Sequence, residues 1–228
     1  MHVYKNSFLI ISVCCLLIFS VGFAGPALGR KSLFFVDSFP ESVSKDCRKG
    51  VARIYDECGD QVAIFNAALE RANATGKTVL VVYGAEWCIW CHVFDKYVKG
   101  GHSAFAYRWE YQGERNAVDF FERENPQAEA QAKSLNRYVS ENFVLAHIES
   151  DYAPNGPEVL VQVGYDPASI RYAPFIFVVT GEGQYVTYLP NSDELSNLEI
   201  REDSGEQYRG YNRDVLLAEL KRLRNMSK

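Results

Sequence analysis

The stretch Thr78-Val79-Leu80-Val81-Val82-Tyr83 is apolar and β-branched, and it runs straight into Gly84-Ala85-Glu86-Trp87-Cys88-Ile89-Trp90-Cys91-His92. An apolar run without polar alternation suits a central strand covered on both faces. Beyond it, Val93, Phe94, Tyr97 and Val98 recur at helical spacing until Gly100-Gly101 breaks the pattern. A buried strand that delivers two cysteines, three positions apart, to the start of a helix narrows the folds available more than any compositional property of the chain.

The flanking pattern extends this core. Asp60 is placed to cap a helix through about Asn73, with Val62, Phe65, Leu69 and Ala72 on one face and Thr75-Gly76-Lys77 as its stop. Gln127 to Glu141 reads as a further helix, and Phe143 to Ile148 as a second buried strand. A short helix is expected around 157–163. Phe175 to Val179 and Gln184 to Leu189 are strands joined at Gly181-Glu182-Gly183, and a last helix opens at Asn212 or Asp214. Helices alternating with short apolar strands and closed by a hairpin predict an α/β fold, a mixed sheet flanked by helices. Residues 100–126 carry aromatics and charges and read as an insertion, partly helical, after the cysteine-bearing helix. Residues 190–209 read as a polar loop.

The cysteine spacing has a chemical logic. A cysteine at a helix N-terminus meets unpaired backbone N–H groups and the positive end of the dipole, so its thiolate is stabilised. A second cysteine one turn later can attack the mixed disulfide formed by the first. Cys88 is therefore the expected nucleophile and Cys91 the resolving thiol. His92 is a candidate for tuning their acidity, since a protonated imidazole favours thiolate. An exposed His on the first turn, without that role, is the alternative. Spacing pairs Cys88 with Cys91 and Cys47 with Cys58, although four cysteines allow three connectivities. Closing about ten residues with Cys47–Cys58 would contribute on the order of 2–3 kcal/mol. A structural staple is the first reading of that pair, and a second redox pair the other.

The strand Val79–Tyr83, the run Ala85 to Cys91, and Ala173-Pro174 immediately before the strand Phe175–Val179 together resemble the thioredoxin family. The resemblance covers roughly residues 60–224, with 100–126 unmatched. It implies a thioredoxin-like fold, thiol-disulfide exchange with protein cysteines, no dissociable cofactor and no metal, and a redox partner that regenerates the active state. It also implies a substrate surface of Trp87, Ile89, Trp90, Ala173 and Pro174, with Pro174 in a cis bond opposite the dithiol. One departure is Val82, which stands where the family carries a buried Asp six residues before the first cysteine. A second is the insertion, whose aromatics are expected to pad the edge of the site.

Other chemistries fit parts of the pattern. Cys88-Ile89-Trp90-Cys91-His92 satisfies the c-type haem attachment spacing, with Met226, His102 or His147 as axial candidates, although a buried strand entering the motif is unlike small haem proteins. Cys88, Cys91 and His92 alone do not complete a tetrahedral zinc set. A binding module that keeps the fold but turns its dithiol over rarely is the remaining alternative. Twenty-nine acidic against twenty-four basic residues, net charge -5, argue against a nucleic-acid partner.

The N-terminus reads as an export signal over residues 1–29. Lys5 precedes an uncharged apolar run from Phe8 to Phe23, and small residues follow at Ala24 and Gly29. The run is short for a bilayer span of roughly twenty residues, so an uncleaved anchor at 8–23 is the alternative, and the only route here to membrane contact. Cys14 and Cys15 belong to this segment. The expected organisation is a signal peptide, an N-terminal extension over 30–59, and a domain over 60–228 that works outside the cytoplasm, in a periplasmic or other extracytoplasmic space.

Overall fold

In a computed structural model the described residues are 32–47, 52–112, 115–123, 125–200 and 207–228. The leader 1–29 and its apolar run 8–23 lie outside them. From Leu33 on, the described residues belong to one compact unit.

Strand β2 (Thr78–Gly84) is buried along its whole length, as its unbroken apolar run requires. It pairs in parallel with β5 (Phe143–Glu149) on one side, Val82 opposite His147 and Gly84 opposite Glu149. On the other side it pairs antiparallel with β6 (Phe175–Val179), which turns back into β7 (Tyr185–Tyr188). The two-residue strand β1 (Ser38–Phe39) adds in parallel to the outer edge of β5, giving the order β1-β5-β2-β6-β7. The N-terminal extension is thus part of the sheet.

Helices cover both faces. Helix α1 (Gln61–Thr75) is capped by Asp60, whose side chain accepts from the Ala63 N–H, and it ends at Gly76 in the left-handed region (φ 67°). Its Phe65, Ala68 and Ala72 pack with Val159 and Leu160 of α4 (Gly156–Gln162) on the face made by Val79, Val81 and Tyr83. On the opposite face, made by Leu80, Val82, Leu145, Ile176 and Val178, lie α2 (Ile89–Val98), α3 (Glu129–Asn142) and α5 (Arg213–Met226). The period-2 burial of β2 and β5 divides these two cores. Among the described residues no helix is long and apolar enough to cross a membrane.

Two sequence expectations are corrected. The insertion contains no helix across its described residues up to Arg123: β3 (Ala104–Gln112) and β4 (Arg115–Arg123) form an antiparallel hairpin. Phe105, Tyr107, Trp109 and Tyr111 alternate in the sequence, which is the strand period rather than the helical one. The stretch 190–209 is not a loop throughout, because β8 (Ser196–Ile200) and β9 (Gln207–Tyr211) build a second antiparallel sheet with the hairpin, in the order β4-β3-β9-β8. Strand β9 pairs with β3 through Phe105 and Arg209, about a hundred residues apart in sequence, so no local pattern announces it. Tyr211 at the end of β9 stacks edge-on against Trp90, Phe94 and Tyr97 and lays this sheet against α2.

Candidate active site

Cys88 sits at the N-cap of α2 with extended backbone (φ -77°, ψ 104°), and its sulfur accepts the Cys91 N–H at 3.2 Å. The Cys91 and His92 N–H groups also point at the Cys88 carbonyl. Capping residues usually offer oxygen here. A sulfur in that place receives the same donors and the positive end of the dipole, which favours its ionised form. Cys88 and Cys91 are joined in a disulfide with Cα atoms 5.3 Å apart, and Cys91 is fully buried behind Cys88. A c-type haem would need both sulfurs as thioethers beside open space. Here they are bonded to each other and packed against the ring of Tyr55.

Tyr55 was not singled out by the sequence. It comes from the N-terminal extension, is fully buried, and donates from its hydroxyl to the Val82 carbonyl at 3.3 Å. Cys47 and Cys58 form the second disulfide, Cα atoms 5.9 Å apart, which closes the loop that carries Tyr55. Gly84 makes room for the meeting. A Cβ there would stand 2.5 Å from the Cys91 sulfur and 2.9 Å from the Tyr55 hydroxyl oxygen, closer than real side chains approach.

Glu86 holds the extension in place. Its Oε2 accepts the N–H groups of Ile54 and Tyr55, each at 3.1 Å, and its Oε1 lies 3.3 Å from His92 Nε2. An exposed place is the simplest expectation for a Glu beside a Trp-Cys motif, but this one is buried because three polar partners converge on it. His92 is buried as well, not exposed on the first turn, and its Nε2–H donates to the Glu86 carbonyl at 2.7 Å. Burial pushes its imidazole below the ordinary range despite the Glu86 carboxylate, which favours the neutral ring. A neutral ring orders the loop but lends the thiolate no charge.

Behind these groups lies a second polar pair. Asp95 Oδ1 of α2 approaches His147 Nε2 of β5 at 3.2 Å and Lys99 Nζ at 2.6 Å, while the Ser38 hydroxyl meets His147 Nδ1 at 3.3 Å. Burial alone would raise the Asp95 carboxyl, but His147 and Lys99 outweigh it and hold it down to about 2. Glu149, the last residue of β5, is fully buried. Its Oε2 accepts the N–H groups of Asp151, Tyr152 and Ala153, yet burial still lifts its carboxyl above the ordinary value.

The substrate-surface residues divide. Trp90, Ala173 and Pro174 line one cavity of about 120 Å³ together with Leu195 and Tyr211. The Ala173–Pro174 bond is cis, and Ala173 packs against the Cys88–Cys91 cluster. Trp87 lies apart, 40% exposed, with its indole N–H donating to Asp151 at 3.1 Å. Ile89 is buried in the core beneath α2. Leu195 and Tyr211, missed in the sequence, reach the cavity from the residue before β8 and from the end of β9.

No curated protein and no solved structure matches the chain. A family model described as thioredoxin-like matches residues 60–103, from the cap of α1 past the end of α2, and the Cys88–Cys91 pair lies inside that match. A CxxC pair in such a domain supports thiol-disulfide oxidoreductase chemistry in general. Sheet, flanking helices and motif together make this a mixed α/β fold of thioredoxin-like type, with its dithiol at the start of α2.

Proposed function

We propose that this protein exchanges disulfides with cysteines of other proteins outside the cytoplasm, after export directed by residues 1–29. In this reading Cys88 thiolate attacks a substrate disulfide, and Cys91 then attacks Cys88 to release the reduced substrate. In the opposite direction a substrate thiol attacks Cys88 and Cys91 leaves. Trp90, Ala173 and Pro174 hold the substrate chain beside the sulfur. A separate redox protein restores the starting state. The observation that carries the reading is the Cys88 sulfur at the N-cap of α2, with Cys91 buried behind it and bonded to it.

The test is the reduction potential of the pair in glutathione buffers, using protein that lacks residues 1–29. A value near or below about -250 mV assigns a reductant of exported thiols, and one above about -200 mV an oxidant or isomerase. Cys88→Ser is expected to abolish exchange with a disulfide peptide. A pair that never forms the 88–91 disulfide, or a Cys88→Ser protein with all its partner activity intact, would return the domain to a redox-silent binding module. Intact mass of the protein recovered from its own host is expected to show loss of the leader near Ala24 or Gly29.

A further inference from the structure

We propose that the Tyr55 hydroxyl is the hydrogen-bond donor to the Cys91 thiolate during disulfide exchange, so that the N-terminal extension supplies a catalytic residue. This rests on the exchange reading above. Cys91 is fully buried, and a thiolate formed there loses water and needs a donor at hand. The Cys91 sulfur and the Tyr55 hydroxyl are the atoms that crowd the point where a Gly84 Cβ would stand, at 2.5 and 2.9 Å. The hydroxyl's present acceptor is the Val82 carbonyl at 3.3 Å, a long bond to a neutral group, so the stronger charged acceptor competes well for it.

The other polar groups nearby face partners of their own or are carboxylate oxygens, which accept and do not donate. Glu86 accepts two backbone N–H groups and faces His92, and the His92 Nε2–H is spent on the Glu86 carbonyl. Asp95 faces His147 and Lys99, and the His147 ring meets Tyr55 edge-on at 5.5 Å. Glu149 takes the loop after β5 on its Oε2, and its Oε1, without a hydrogen-bond partner among the described residues, is an acceptor oxygen in the ionised carboxylate. Burial and the charges of Glu86, Asp95 and Glu149 push the Tyr55 phenol well above 10, which keeps the proton on its oxygen and makes it a donor throughout the working range.

The exchange balances. When a substrate thiolate attacks Cys88, a bond forms between the substrate sulfur and Cys88 Sγ, and the Cys88–Cys91 bond breaks. Its electron pair leaves on Cys91, where the hydroxyl meets it, and the proton shed by the substrate thiol ends on Cys91. In reverse, Cys91 thiolate held by the same hydroxyl attacks Cys88, and the substrate sulfur departs with the pair. One donor serves both directions.

Tyr55→Phe keeps the ring that fills the core and removes only the oxygen. With oxidised glutathione as the probe, the attack of Cys88 on the reagent is expected to stay within about twofold. Resolution of the Cys88–glutathione mixed disulfide by Cys91 is expected to slow about ten- to a hundredfold, the range of a hydrogen bond to a charged group. In the Cys88→Ser background, the ultraviolet absorbance of the Cys91 thiolate is expected to appear at higher pH once Tyr55 is Phe. Unchanged resolution with an unchanged Cys91 titration would overturn the role of Tyr55 and leave the exchange reading standing. Equal slowing of both steps would overturn it too, since a merely structural ring would act that way. A wild-type protein that forms no mixed disulfide at all overturns the exchange reading itself.

Discussion

At the scale of single residues, the buried charges around the dithiol are each tied to a particular donor. Glu86 is the sharpest case, because its Oε2 links the Ile54 and Tyr55 N–H groups to the loop before α2. Glu86→Ala leaves two donors unpaired at a part-buried site and is expected to cost about 2–4 kcal/mol. Glu86→Gln retains an oxygen for them and is expected to cost less than half as much. Denaturant titration of the two variants measures the difference, and equal losses would mean that charge rather than donor pairing anchors the extension. None of this was legible locally. A Glu beside Trp87 and Cys88 carries no mark of burial in the sequence, since its partners come from thirty residues upstream. The same holds for Tyr55, since the nearby Cys58 pointed to a pairing with Cys47 and not to a ring packed on the dithiol.

At the scale of elements, β2 positions the chemistry by being narrow at its end. Gly84 is its last residue, and the Cys91 sulfur and Tyr55 hydroxyl meet where a side chain would project. Gly84→Ala is therefore expected to cost about 1–3 kcal/mol from overpacking and to displace the dithiol. Thermal melting and the rate of disulfide exchange should fall together in this variant, and an unaltered rate would show that the neighbours yield without moving the sulfurs. What the sequence made plain was of this kind: the apolar run of β2, the Asp60 cap and Gly76 stop of α1, the Gly181–Gly183 turn, and the cysteine pair opening α2, all written within a few residues of one another. What it hid was non-local. Strand β9 has meaning only beside β3, and the aromatic alternation from Phe105 to Tyr111 was masked by interleaved charges that the pairing tolerates. The contact between the inserted sheet and the site runs through Tyr211 and Phe105, at the ends of their strands.

At the scale of the whole molecule, pH acts through two buried groups that both titrate on the acid side of neutrality, in separate ranges. The His92 imidazole is held below its ordinary 6.5, so the unfolded chain takes up a proton before the folded one does. Its contribution is complete above about 6.5 and falls away as the pH drops below that. Asp95 is held at about 2 against an ordinary 3.8, so its contribution is complete above 3.8 and is lost as the pH falls from there through 2, an effect of roughly 2 kcal/mol. Urea midpoints measured from pH 8 to pH 2 are expected to decline in two stages. His92→Gln should remove the upper stage and Asp95→Asn the lower, and a single decline unaffected by either variant would show that other groups set the acid limit. The Cys88 cap carries a further implication. Once the pair is reduced and Cys88 ionised, the first turn of α2 is capped by a full charge instead of a neutral sulfur, while opening so short a ring frees the unfolded chain very little. Folding and electron uptake then form a closed thermodynamic cycle. Whatever extra stability the reduced protein has over the oxidised one is also the amount by which the folded dithiol resists oxidation more than the same peptide unfolded, so the strength of one helix start and the voltage of the pair are one quantity met from two sides.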